Sequence, residues 1–309
     1  MKRTLNATLL FSLSSMGVGC VPTVEEDPSL VVDGQILAVQ FSPAEAKPKA
    51  KSTATALVVG STEDEPADVE FNLCLARKAL SELGPIAPEC VAEAPSEDDV
   101  VHLGTGLSAA LTVPEAACRL FGPQRPPSEG GQPPGRPADP DATGGYYQPV
   151  VARLDDVVIG GLRLDCGLSG GSQEQVAEYN RNRQDNANPE PTSLKLKVGG
   201  SSWRDVPAES TLSVPRDTTI VFRSQWSAPE KYQLLSQETR ALEERREEYL
   251  ASFYSTVGGF VDHRVIPNSK HIAEAEWQSP SNRGVVDFWV VVRDGRGGVG
   301  WHAFSLEVK

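Results

Sequence analysis

Few residues in this chain have a type and spacing that could do chemistry. The four histidines, His102, His263, His271 and His302, show no H-x-H or H-E-x-x-H spacing, so a histidine-based zinc site has no support. Asp262-His263 could orient an imidazole, but its place just past a strand end reads as a solvated turn. No G-x-S-x-G elbow strains and exposes a serine nucleophile. Gly106-Leu107-Ser108-Ala109-Ala110 and Gly167-Leu168-Ser169-Gly170-Gly171 come nearest, and both lack the flanking strand and helix. No Walker or dinucleotide-binding glycine motif occurs either. Carboxylates are plentiful, so a glycosidase-like acid pair stays open. Glu63-Asp64-Glu65 and Glu97-Asp98-Asp99, however, sit in polar stretches and read as solvated faces, without the spacing of a calcium loop. No catalytic, metal-binding or cofactor-binding residue is therefore assigned. The remaining chemistry is that of five cysteines: Cys20 near the start, and Cys74, Cys90, Cys118 and Cys166 in the first large block.

Cys20 ends a leader. Lys2 and Arg3 are positive, and Leu5 to Val18 is mostly apolar or small. That run is shorter than the roughly 18–20 residues needed to span a bilayer, and it matches an export signal over residues 1–19. Gly17-Val18-Gly19-Cys20 resembles the lipobox of bacterial lipoproteins. The resemblance implies that Cys20 becomes the mature N-terminus and carries diacylglycerol and an amide-linked acyl chain such as palmitate. Each buried methylene would add about 0.8 kcal/mol to anchoring. An ordinary secretory signal cut near Gly19 is the alternative. Val21 and Pro22 follow the cysteine where Asp would favour the inner membrane. By the lipoprotein sorting rule this implies the outer membrane, at its periplasmic face or the cell surface. The formal net charge of -13 repels phosphate backbones, which argues against nucleic acid as a partner. It should also hold the body of the protein off an anionic membrane surface.

The elements that must position these residues are strands. The 309 residues leave room for two domains, and 27 Gly and 24 Pro are too many turn-formers for a helical bundle. Residues 20–33, with Glu25, Glu26, Asp27 and Pro28, read as a short flexible tether. Period-two alternation then sets in, at Leu37/Val39/Phe41, Ala54/Ala56/Val58, Val69/Phe71/Leu73/Leu75, Val150/Ala152/Leu154 and Leu162/Leu164/Cys166/Leu168. These strands make a first β-sandwich over 34–172, interrupted by a Pro/Gly-rich loop at 122–145. Residues 173–191 are polar, with four asparagines and two prolines, and read as an interdomain linker. Alternation resumes at Leu194/Leu196/Val198 and Ile220/Phe222/Trp226 in a second sandwich over 192–309. Within it, about 229–247 is rich in Glu, Gln and Arg, has an Arg240/Glu244 spacing, and reads as a solvated helical insertion. Val285 to Val292 is apolar on both faces, as a central strand should be, and Asp294-Gly295 marks a hairpin. The fold class expected is all-β: two tandem Ig-like sandwiches, the second with a helical insertion.

Alternation also bears on the four cysteines, which an oxidising compartment would pair. Cys74 points away from the apolar face of Val69, Phe71 and Leu73, which suits a local bridge to Cys90. Cys166 shares the face of Leu162 and Leu164, which leaves Cys118 as its partner. Each bridge would contribute on the order of 2–4 kcal/mol. The five tryptophans, Trp203, Trp226, Trp277, Trp289 and Trp301, all fall in the second block. Packing between sheets is their usual use, and a sugar-binding platform would need two or three rings exposed on one surface.

The block "SFYSTVGGFVDHRV…AEWQSP…GVVDFWVVVRDGRGGVGWHAFSLEV" resembles the repeated Ig-like domains of surface lipoproteins of myxobacteria-like bacteria. "VDGQILAVQFSPAEAKPKAKSTATALVV…VEFNLCL" is similar to their N-terminal Ig-like domain. The resemblance implies fold and location, not chemistry. The expected function is a non-enzymatic outer-membrane lipoprotein, held by Cys20, that presents Ig-like surfaces to a protein partner or the envelope. A carbohydrate-binding or hydrolytic surface module is the alternative. Exposed coplanar aromatics would favour the first of these and a cleft of paired buried carboxylates the second.

Overall fold

The computed structural model describes residues 27–60, 68–78, 85–122, 143–207 and 211–309. The leader 1–19, Cys20, the Glu63-Asp64-Glu65 run and most of the 122–145 loop lie outside the described residues. Alternation builds β1 (Gln35–Ser42), β2 (Glu45–Ala46), β3 (Lys51–Val59), β4 (Glu70–Cys74), β5 (Val100–Thr105), β6 (Ser108–Thr112), β7 (Tyr147–Arg153) and β8 (Val157–Leu164), with a short helix α1 (Ala117–Leu120). They form two sheets, in the orders β1-β3-β6 and β2-β8-β7-β4-β5. After a helix α2 (Gln173–Asn182) come β9 (Pro191–Val198), β10 (Arg204–Asp205), β11 (Leu212–Val214), β12 (Thr219–Trp226), β13 (Lys231–Leu235) and β14 (Leu242–Arg246). The chain ends with β15 (Tyr249–Ser255), β16 (Gly259–Phe260), β17 (Arg264–Val265), β18 (Ile272–Gln278), β19 (Gly284–Asp294) and β20 (Val299–Val308). Their sheets have the orders β10-β9-β12-β18-β16 and β11-β20-β19-β15-β17.

Both halves follow one plan. The first long strand, β1 or β9, pairs antiparallel with the next long one, β3 or β12. A short segment further along, β2 or β11, crosses to the opposite sheet and runs parallel to that half's last strand, β8 or β20. Two largely antiparallel sheets face each other in each half, so the chain is two tandem Ig-like β-sandwiches. Phe41, Phe71, Leu73, Val150 and Leu162 fill the first core, and Phe222, Phe253, Trp277, Phe288 and Leu306 fill the second. Phe288 is central there: Trp277 meets it edge-on at 4.8 Å and Phe304 stacks on it at 5.0 Å.

The sandwiches are stacked face to face. Leu37, Ala38, Leu57 and Val59, on the outer face of β1 and β3, pack on Val291 and Val299, flanked by Tyr254, Trp289 and Trp301. The result is four sheet layers with an apolar seam between each successive pair. This accounts for the two-sided apolar character of β19. Val286, Phe288, Val290 and Val292 face their own core, while Trp289 and Val291 face the first sandwich. The open edge of β1 is engaged as well. Arg293 Nη2 donates to the Leu37 carbonyl at 2.6 Å, and Asn188 Nδ2 donates to the Phe41 carbonyl at 2.8 Å. Unpaired strand edges otherwise invite pairing with another chain.

Three segments differ from their sequence reading. The helical insertion expected at about 229–247 is a β-hairpin, β13 with β14, in register from Lys231↔Arg246 to Leu235↔Leu242. The Arg240/Glu244 spacing is interrupted by a turn, in which Ser236 Oγ accepts from the Thr239 N–H at 3.2 Å and Arg240 takes φ 55°. Glu244 pairs across the hairpin with Lys231 at 2.6 Å. Within the 173–191 linker, α2 starts on a capping box: Ser172 Oγ accepts from the Gln175 N–H, and Gln175 Oε1 accepts from the Ser172 N–H at 2.8 Å. The described end of the 20–33 tether is docked, not loose. Val31 N–H donates to the Ser255 carbonyl at 2.9 Å, Ser255 N–H donates to the Ser29 carbonyl at 3.0 Å, and Val31 is buried in the seam. One apolar side chain that fits the seam outweighs the acidic, unpatterned composition around it.

The disulfides are Cys74–Cys90 and Cys118–Cys166, with Cα atoms 5.4 and 5.5 Å apart, the pairing that alternation selects. Cys74 lies in a small apolar cluster with Ile86, Ala87, Val100 and Val151, and Cys166 packs against the first core. Close packing of the linker gives a direct test. A Cβ on Gly300 would stand 1.9 Å from the Pro189 carbonyl oxygen, whereas one on Gly200 would meet nothing within 4 Å. Gly300→Ala should therefore lower stability in urea unfolding by about 1–3 kcal/mol. Gly200→Ala should stay within about 0.5 kcal/mol.

Candidate functional site

The densest cluster of buried ionisable groups lies where the two sandwiches and the linker meet. β2 brings Glu45, β8 brings Arg163, and Asp165 follows just beyond it. The linker contributes Arg183 and Asn186. Glu230 and Glu247 come from the two ends of the β13–β14 hairpin. Asp294 ends β19, and Arg296 lies in the turn that follows. That turn is built locally. Asp294 Oδ1 accepts from the N–H groups of Arg296 and Gly298, both at 2.8 Å, and Gly297 takes φ 96°, where a side chain would be strained. The turn throws the Arg296 side chain into the junction.

Arg296 binds both sandwiches at once. Its Nη2 lies 3.3 Å from Glu45 Oε2, and its Nη1 lies 3.1 Å from Glu247 Oε1. Nη2 also donates to the Gln184 carbonyl at 3.1 Å, Glu230 Oε2 is 3.7 Å from Nη1, and the guanidinium lies over the Tyr232 ring. Glu45 is the hub on the other side. It accepts from Arg183 Nη2 and from the Asn186 N–H, both at 2.8 Å, with Arg163 Nε at 3.7 Å. Arg183 continues to Asp165, which Lys47 reaches from solvent at 3.5 Å. The Arg296, Glu45 and Glu247 side chains are 3%, 4% and 0% exposed, so these ion pairs are withdrawn from water. Burial, and next the charge of Asp294, push Glu247 up to about 7. Burial also raises Asp294.

The arrangement fixes a pose. Taking ion pairs out of water costs nearly as much as their attraction returns, so the cluster adds little net stability. Any other relative placement would leave buried charges uncompensated. The sequence reading missed Glu45, Glu247 and Arg296. Only the Asp294-Gly295 hairpin signal hinted at this site, and it marks the turn without marking its partner.

The residues that were singled out from sequence lie elsewhere. The four bridged cysteines brace the first sandwich alone. Trp226 and Trp277 are core residues, while Trp289 and Trp301 lie in the seam beneath the first sandwich. Trp203 lies under Arg223, whose guanidinium is 3.9 Å from the ring centre. Trp203, Trp289 and Trp301 are half-buried, each packed against other parts of the protein. Among the described residues, no group of three or more His, Cys, Asp or Glu side chains could hold a metal ion.

No family model matches this chain, and no curated protein matches it. Among solved structures it is similar to the D0-D1 domain of Intimin, at 12% identity over 88% of this chain and 98% of that one, with a TM-score of 0.23. It is similar to the Yersinia pseudotuberculosis adhesin InvE, at 9% identity over 88% of this chain and 58% of that one, with a TM-score of 0.23. E. coli alpha-2-macroglobulin matches at 8% identity over 90% of this chain and 17% of that one, with a TM-score of 0.24. Likenesses this distant carry no argument about activity or partners, and the Ig-like assignment stands on the strand order above.

Removing Arg296 should expose the importance of the junction. Arg296→Met leaves Glu45 and Glu247 without their shared cation and should cost about 3–5 kcal/mol in urea unfolding. Arg223→Met removes the half-exposed pair with Glu274 and should cost no more than about 1 kcal/mol.

Proposed function

We propose that this chain is a non-enzymatic envelope lipoprotein, akin to the myxobacterial-type surface lipoproteins with tandem Ig-like domains. In this reading Cys20 carries the lipid, the protein resides in the outer membrane, and the stacked sandwiches present a binding surface to a protein partner or an envelope component. The observation that supports it most is the use of the deepest charged cluster among the described residues. Those side chains are spent on one another, across the junction, holding two modules in one pose. A surface composed from two modules gains affinity when their relative placement is fixed before binding. The lipobox-like Gly17-Val18-Gly19-Cys20 and the Val21-Pro22 that follows support the anchor and its membrane.

Anchoring is tested by Cys20→Ser. The unchanged protein should incorporate labelled palmitate and fractionate with the outer membrane, and the variant should be exported unlabelled and soluble. A Ser variant that stays membrane-bound through detergent-free salt washes would refute lipid attachment at Cys20. Crosslinking in intact cells should capture a protein or envelope partner, whereas selective retention on glycans would favour a sugar-binding module instead.

A further inference from the structure

We propose that the mouth of the seam between the sandwiches is a binding site for a small organic cation, an ammonium group at the end of an apolar chain. The site is a cleft of about 480 Å³ whose lining includes Val31, Val32, Val58, Val59, Asp287 and Trp289. Small-molecule pockets commonly enclose about 300–1,000 Å³ between apolar walls that carry a few placed polar groups. No residue of the ionic junction lines this cleft, and the site does not depend on how the chain is anchored.

Three segments build it. The Val31 N–H donates to the Ser255 carbonyl at 2.9 Å and the Ser255 N–H donates to the Ser29 carbonyl at 3.0 Å, which clips one wall along the end of β15. β3 supplies Val58 and Val59 for the second wall. Gly60 follows at φ 74°, where a Cβ would run into the Asp33 carbonyl, so only glycine lets the end of β3 close against residues 33–34. β19 supplies Asp287 and Trp289, two residues apart and therefore on the same face of the strand.

The charge in the cleft is unanswered. Asp287 is the one ionisable residue of the lining. Its Oδ1 accepts from Ser305 Oγ at 2.5 Å, and its N–H donates to Thr256 Oγ1 at 3.1 Å. Among the described residues no Lys, Arg or His pairs with it, and its Oδ2 is not buried and has no donor from the protein. Glu307, two residues beyond Ser305 on β20, has its own cation in Lys309 at 3.0 Å. A lone carboxylate beside an indole and between aliphatic walls is complementary to an ammonium on an apolar stem. The carboxylate accepts a charge-assisted hydrogen bond, the ring attracts the cation and the valines cover the stem. An anion is repelled there, and a neutral alcohol gains only the walls. The rim points the same way: Val32 is 72% exposed, and Val285, two residues before Asp287 on the same face, is 64% exposed. Neighbouring apolar side chains left in water around a cleft are usual at binding sites.

Hexylammonium tests the site on the exported chain, with hexanol and hexanoate as its neutral and anionic counterparts. In two-dimensional amide NMR, hexylammonium should give saturable shifts at Val31, Val59, Gly60 and Thr256. Hexanol should bind about tenfold more weakly, and hexanoate should give no saturable shift. Asp287→Asn keeps an acceptor for Ser305 and should weaken hexylammonium about tenfold, to the level of hexanol. Val32→Lys alters an exposed position, so it should fold as the parent does, and its own ammonium should also weaken hexylammonium binding. Equal binding of hexylammonium and hexanol by the parent would overturn the proposal. So would shifts that fall outside the cleft or do not saturate, or a folded Asp287→Asn protein that binds hexylammonium as the parent does.

Discussion

The guanidinium of Arg296 is shared between a carboxylate of each sandwich, and the relative placement of the two modules depends on it. An apolar seam alone favours contact, because burying Leu37, Leu57, Val291 and Trp289 removes apolar surface from water, but that attraction is non-directional. Charge-assisted hydrogen bonds are directional. Arg296 can meet Glu45 and Glu247 together only if the β19–β20 turn is tight, the linker lies in its groove and the hairpin's last residues fold back over the junction. Each condition is met by a local device: the Asp294 side chain in the turn, the close approach of Pro189 to Gly300, and the Glu230 N–H bonded to Glu247. The seam supplies most of the attraction, and the ionic cluster selects the pose.

Stacking changes what the molecule shows to its surroundings. A sheet face that would be wet in a lone sandwich is covered, and the tryptophans on it are half-buried against the first sandwich. In the second sandwich the edges are β10, β16, β11 and β17, each only two or three residues long. Strands that short offer little template for pairing with a foreign strand.

Much of this fold was legible because strands advertise themselves by period two. The two cores, the Asp294-Gly295 hairpin and both disulfides follow from which face each side chain takes, and Cys74 opposite Phe71 and Leu73 is a clear instance. The two-sided apolar run of β19 was also legible as a buried strand, although its second covering is a whole sandwich and not another layer of its own. The β13–β14 hairpin was not legible as such, because its exposed strands carry helix-forming residues and only the Ser236 turn departs from a helical pattern. The Ser172-to-Gln175 capping signal was present but is two residues in a polar stretch. The ionic cluster had no local signature at all. Arg296 and Glu45 are 251 positions apart, and their meeting is a property of the stack.

The central claim is that the two sandwiches form one stacked body and not two beads on a linker. Small-angle X-ray scattering from the exported chain in solution, near neutral pH, tests it most directly. Stacking predicts a pair-distance distribution with a single maximum and a scattering curve that matches the four-layer arrangement. A distribution with a second maximum at the separation of two unstacked domains would contradict it.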